Sequence, residues 1–148
     1  MSSFTIAAFI VIFDKKDRVL LCHRRDLDIW NLPGGAVESG EMPTDAVIRE
    51  TFEETGLKSK IKDLVGVYGK ENRDELVFVF TGKVVGGKLK KTAESDENRY
   101  FKLDELPDNT IPKHIERIQD ASEKNPKPVF RLQNGLSARE HLKKLNKK

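Results

Sequence analysis

A single cysteine, Cys22, excludes an internal disulfide and suits a reducing compartment. In the apolar stretch Val19 to Cys22 it reads as core filler rather than as a nucleophile. That cysteine and the 3 histidines have no spacing suited to zinc. No apolar run is long enough to span a membrane. The start, MSSFTIAAFIVIFDKKD, lacks a basic leader and a cleavage pattern, and its apolar run broken by Asp14 reads as a strand. Cytoplasmic residence without a membrane partner is expected. Strong charge of one sign is also missing. The formal charge is +3, but Ser137 to Lys148 holds 5 basic residues and 1 acid, leaving 22 basic and 23 acidic residues before it, a net −1. A global nucleic-acid-binding surface is therefore not indicated.

At 148 residues the chain has the length of one domain, with the segment from about 112 to 148 expected as a C-terminal helical extension. Phe4 to Phe13 is almost continuously apolar and β-rich, as a central strand covered on both faces would be. A polar turn at Asp14 to Asp17 predicts a hairpin with a second strand, Arg18 to Arg25. Lys60 to Lys70 and Glu75 to Val85 carry further strand signals, the latter with Leu76, Phe78 and Phe80 on one face and Val77, Val79 and Thr81 on the other. Pro112 to Lys124 reads as a packed helix with His114 on its surface, and Val129 to Leu132 as a short strand. A last helix begins at Ser137, which forms a capping box with Glu140.

The densest chemistry lies between Gly34 and Leu57, GGAVESGEMPTDAVIRETFEETGL. Pro43 suits a first helical turn and Gly56 a left-handed residue just past the end, which predicts a helix from Pro43 to Thr55. At about 100° per residue, Val47, Ile48, Thr51, Phe52 and Thr55 fall on one arc, and Glu50, Glu53 and Glu54 on the other. Burial of the first arc leaves three carboxylates pointing outward. Such crowding costs a few tenths of a kcal/mol per like-charged pair at the helical spacings of three and four. Arg49, four residues before Glu53, offsets part of it, and a divalent cation is the better match for the rest. Hard oxygen ligands favour Mg2+, Mn2+ or Ca2+. Before the helix, Pro33 and Gly34 predict a tight turn in which a Gly34 carbonyl can ligate metal and neighbouring N–H groups can face a phosphate.

Each of these features alone fits a solvated helix face or an ordinary turn. Together they run Gly35, five residues, Glu41, seven residues, Arg49 and Glu50, two residues, Glu53 and Glu54, one residue, Gly56. This string resembles the signature of the Nudix (MutT-like) hydrolases. Thr51 departs from it, standing where an aliphatic residue is more usual. The resemblance implies an α/β fold, an α/β/α sandwich with a mixed central sheet. It also implies divalent-metal-dependent hydrolysis, with Mg2+ (or Mn2+), of the pyrophosphate link in a nucleoside diphosphate joined to another group.

Within that resemblance Glu53 and Glu54 are expected as metal ligands, Glu50 as ligand or general base, and Gly34 as a supporting ligand. Arg49 orients the cluster, while Glu41 and Gly56 hold the box. A further ligand is expected shortly before the aromatic pair Tyr100 and Phe101, with Glu97 as first choice and Glu94 second. Arg24 and Arg25 are candidates for substrate phosphates, with Gly35 beside them. Trp30 and His23 read as structural. ADP-ribose-like compounds or nucleoside triphosphates are the first substrate classes. The alternatives are an RNA 5′-pyrophosphohydrolase, for which the basic tail is the only motive, and a catalytically silent nucleotide-binding module. A monomer or homodimer is expected.

Overall fold

In a computed structural model, residues 3–147 are described; Met1, Ser2 and Lys148, the last of the basic tail, lie outside them. The described residues form eight strands and three helices: β1 (Thr5–Ile12), β2 (Val19–Arg24), β3 (Trp30–Asn31), β4 (Gly34–Ala36), α1 (Pro43–Thr55), β5 (Leu57–Lys70), β6 (Arg73–Gly87), β7 (Ser95–Phe101), α2 (Pro112–Ser122), β8 (Val129–Gln133) and α3 (Ala138–Asn146). A short 3-10 turn, Leu103–Glu105, separates β7 from α2.

Five strands form a mixed sheet in the order β4-β1-β6-β5-β8, with β1 parallel to β6 and β5 parallel to β8. The remaining three form an antiparallel sheet in the order β3-β2-β7. Strand alternation makes β1 the divider between two cores. Ala8, Ile10 and Ile12 face one way, joining Leu20, Phe80 and Val47 of α1. Val11 faces the other way, joining Val77, Val79, Tyr68 and Ile118 of α2. The result is the expected α/β/α sandwich, with α1 and α2 on opposite faces of a mixed sheet. Cys22 and Trp30 are buried, and the Trp30 ring meets Phe101 edge-on at 5.0 Å.

Three expectations give way. Asp14 to Asp17 does not close a hairpin within one sheet: β1 and β2 meet at the bridge between Phe13 and Val19 and then enter different sheets. Parallel pairing of β1 with β6 takes up the edge that β2 would have used. Residues 112 to 148 are not simply a helical extension, because β8 completes the large sheet beside β5. His114 is 5% exposed rather than on the surface, its Nδ1 accepting from the Leu32 N–H at 3.0 Å. The capping box of α3 forms as expected, and Lys143 and Lys144 occupy its last turn, where the helix dipole favours cations. No helix among the described residues is long and apolar enough to cross a membrane.

Candidate active site

The passage from β3 to β4 carries the chain from the small sheet to the large one, and the site forms there. Gly34 has φ +146°, and a Cβ at this position would collide with the Ala8 carbonyl, so only glycine permits this approach of β4 to β1. The close approach lets the Gly34 N–H donate to Glu54 Oε1 at 3.0 Å. Gly35 lies against Glu50, whose carboxyl carbon would be 2.9 Å from any Cβ there.

Helix α1 starts at Pro43 and stops at Gly56, which has φ +80°. Its buried arc differs from the apolar one. Ala46, Val47, Thr51, Glu54 and Thr55 are buried, whereas Ile48 and Phe52 are 36% and 45% exposed. Glu54 therefore faces inward beside the glycine turn instead of outward, and Phe52, about 160° around the helix from it, is turned to the surface. The hydroxyl of Thr51 donates to the Val47 carbonyl at 2.6 Å, which lets a polar residue pack on the inner arc.

Arg49 organises the outer acids. Its Nε and Nη2 grip Glu41 at 2.8 and 3.0 Å, while Nη1 reaches Glu50 at 3.0 Å and Glu53 at 3.3 Å. The forked pairing holds the Glu41 carboxyl down at about 2. Burial has the opposite effect deeper in. It pushes Glu54 up to about 9, with Glu50 and Glu94 adding repulsion and the Gly34 N–H opposing it. Burial also raises Glu50, against the pull of Arg49, and raises Glu94, with Glu53 adding to it.

One carboxylate oxygen from each of Glu50, Glu53 and Glu94 lies within 4.8 Å of the others. Glu94, the second choice from sequence, joins this group, and Glu97 does not. The reason lies in the segment before β7. Thr92 Oγ1 and Asn98 Nδ2 each donate to the Glu54 carbonyl at 3.0 Å, and the Arg25 Nε binds the Thr92 carbonyl at 2.7 Å. These bonds staple the loop carrying Glu94 onto the end of α1. Glu97 is already inside the β7 ladder, opposite His23, and its carboxylate pairs with Arg99. It lines a different cavity, together with His23 and Trp30. Thr92 and Asn98 carried no signal in the sequence, since each acts through a bond to a distant backbone.

A cavity of about 420 Å³ opens beside Glu50 and Glu94, bounded also by Gly34, Gly35, Glu54 and the two arginines Arg24 and Arg25, with Glu53 outside its lining. Asn31 also lines it, with a buried Oδ1 that has no hydrogen-bond partner. Arg24 is held by Asp26 at 2.6 and 2.8 Å.

The NUDIX domain profile matches residues 3–121. The chain belongs to the Nudix hydrolase family. A Bacillus subtilis protein named as a candidate 8-oxo-dGTP diphosphatase is 30% identical over 118 residues, covering 79% of each chain. The ADP-ribose pyrophosphatase of Methanocaldococcus jannaschii is 41% identical over 103 residues, covering 65% of this chain and 61% of that one. A NUDIX hydrolase from Nitrosomonas europaea has the same fold, with a TM-score of 0.79 at 22% identity over 90% of this chain and 81% of that one. For a Nudix pyrophosphohydrolase acting on nucleotide derivatives, a cavity that joins clustered carboxylates to two arginines, each with one side of its guanidinium already held, brings both signs of charge to one place.

Proposed function

We propose that this Nudix hydrolase cleaves a phosphoanhydride in the pyrophosphate link of a nucleoside diphosphate joined to another group, using Mg2+ or Mn2+. The observation that carries the reading is the convergence of Glu50, Glu53 and Glu94, two of which, Glu50 and Glu94, line the cavity. Three carboxylates at that separation form a hard-oxygen donor set and suit a divalent ion of this kind. When bound there, such an ion would neutralise charge on the transferring phosphorus and lower the pKa of water.

The chain's own residues have separate tasks. Glu50, Glu53 and Glu94 would hold the ion, with the Gly34 carbonyl and Glu54 supporting them from behind. Glu50, with Oε1 engaged by Arg49, would act either as a ligand or as the base that accepts the proton of the attacking water. Arg24 and Arg25 stand across the cavity, where they can orient the phosphate oxygens for in-line displacement. Gly35 keeps the floor open, since any side chain there would displace Glu50.

ADP-ribose-like compounds and nucleoside triphosphates are the classes to assay first, and the M. jannaschii relative favours the former. The test is a nucleotide panel with Mg2+ and mass spectrometry of the products. A nucleoside monophosphate and its phosphorylated partner are the expected products. Binding without turnover across the panel would favour a silent module instead.

A further inference from the structure

Beside the acidic cavity lies a second one of about 280 Å³, and Phe9 and Arg24 form a wall common to both. Its chemistry is the reverse. Lys70, Lys113, Arg117 and Arg24 line it against one acid, Glu75. Lys113 and Arg117 are 7% and 5% exposed. None of the ion pairs among the described residues includes Lys70, Lys113 or Arg117.

Compensation of the buried cations is partial: Glu75 acts on both, Glu116 on Arg117, and the Arg117 guanidinium lies over the Phe9 and Tyr68 rings at 5.3 and 5.6 Å. The guanidinium of Arg117 directs Nε and Nη2 to the neutral Gln133 side chain at 3.1 and 3.0 Å, while Nη1 is buried with no partner. Burial and the neighbouring Lys70 lower Lys113 to about 8, and burial lowers Arg117 to about 10. Two helices also begin at this cavity. Lys113 and His114 are in the first turn of α2, which has no side-chain cap, and Ala138 is the first residue of α3. The N-terminal end of a helix dipole is positive, so the uncapped start of α2 adds to the side-chain charge, whereas the capping box with Glu140 offsets that of α3. His114, with Nδ1 accepting from Leu32, carries its proton on Nε2 when neutral and lines the same space.

Buried cations without a paired carboxylate, one of them with an unpartnered N–H, are costly in an empty site and favourable in a site built for an anion. Resting on the proposed hydrolysis, we infer that this cavity is a subsite for a phosphate monoester on the group joined to the nucleoside diphosphate. The shared wall at Arg24 places that phosphate one cavity away from the cleaved link. Substrates with a second phosphate beyond the link are thereby preferred over those ending in a neutral sugar.

The test separates the subsite from the reaction. The full chain is titrated calorimetrically with inorganic phosphate and with ribose 5-phosphate in chelator. Both should bind, ribose 5-phosphate more tightly, with affinity reduced at least about tenfold in Lys113→Met and unchanged in Glu53→Gln. Absence of binding, or equal affinity in Lys113→Met, would overturn the proposal. Should circular dichroism show Lys113→Met unfolded, Lys70→Met, at the end of β5, takes its place under the same criteria.

A kinetic arm uses two pyrophosphate-linked compounds that share the nucleotide and differ in one terminal phosphate on the distal sugar. The phosphorylated compound should have at least about tenfold higher kcat/KM, and Lys113→Met should erase that difference. Equal values for the original chain would overturn the assignment to substrate. Turnover of neither compound, with phosphate binding intact and sensitive to Lys113, would count against the hydrolysis reading while supporting the subsite.

Discussion

The carboxylates of α1 and the cations at the start of α2 occupy neighbouring cavities that share Phe9 and Arg24, yet the fold handles their charge differently. At the acidic end a cation of the chain itself, Arg49, binds Glu41, Glu50 and Glu53, and the buried Glu54 is steadied by a backbone N–H. At the basic end neither Lys113 nor Arg117 forms an ion pair among the described residues, and four cations face the single lining acid Glu75. The acidic end is thus partly assembled before a ligand arrives, whereas the basic end depends more on what enters it. Both arrangements forgo stability for binding, as charges held in place for a ligand generally do.

The largest expected effect breaks the acidic end. Glu53→Gln removes an exposed oxygen ligand without core volume, and kcat/KM should fall by about a thousandfold with the circular dichroism spectrum unchanged. A loss below threefold would remove Glu53 from the metal-holding group. Arg49→Gln should cost less, about 10- to 100-fold, because it loosens the carboxylates without deleting one. Arg49→Lys should recover only part of that loss, since an ammonium cannot form the fork seen on Glu41. Full recovery would show that charge alone matters.

Two smaller effects concern stability, and their pH dependences run in opposite directions. Glu54 has its carboxyl raised from 4.5 to about 9 on folding, so its contribution is fully present below 4.5 and is lost as pH rises towards about 9. In chelator at pH 8, Glu54→Gln should therefore stabilise the fold by about 2 kcal/mol in urea denaturation. A destabilised variant would mean that the buried carboxylate is already compensated. His114 is lowered well below 6.5 by burial, with Arg117, Lys113 and Arg24 adding to it. Its contribution is present above 6.5 and is lost as pH falls below that value. Between pH 7 and pH 5, His114→Gln should lose about 1 kcal/mol less stability than the original chain, and parallel losses would contradict the assignment.

The same two regions differ in how far the sequence revealed them. The acidic end was legible because its parts are local: Pro43 and Gly56 bound α1, and Arg49 lies within one helical turn of Glu50 and Glu53. Periodicity failed only for the inward arc, where the hydrogen bond from Gly34 and the self-satisfied hydroxyls of Thr51 and Thr55 let polar residues displace Phe52 from the core. Glu94 was harder to choose over Glu97, because the loop is fixed by Thr92 and Asn98 bonding to a carbonyl some 40 residues away. Nothing local marked the basic end. Lys70, Lys113 and Ala138 are far apart in the chain, and only the pairing of β8 with β5 brings α2 and α3 to one cavity. His114 looked like a surface residue for the same reason, its partner Leu32 lying 82 positions earlier.

Metal dependence of turnover tests the central claim most directly. Nucleotide products should be measured by mass spectrometry across a panel of nucleoside diphosphate-linked compounds, with Mg2+ and then with excess chelator. Hydrolysis of at least one compound with Mg2+, abolished by chelator and restored by added Mg2+ or Mn2+, is the predicted result. Undiminished hydrolysis in excess chelator would contradict the claim that Glu50, Glu53 and Glu94 act by holding a divalent ion.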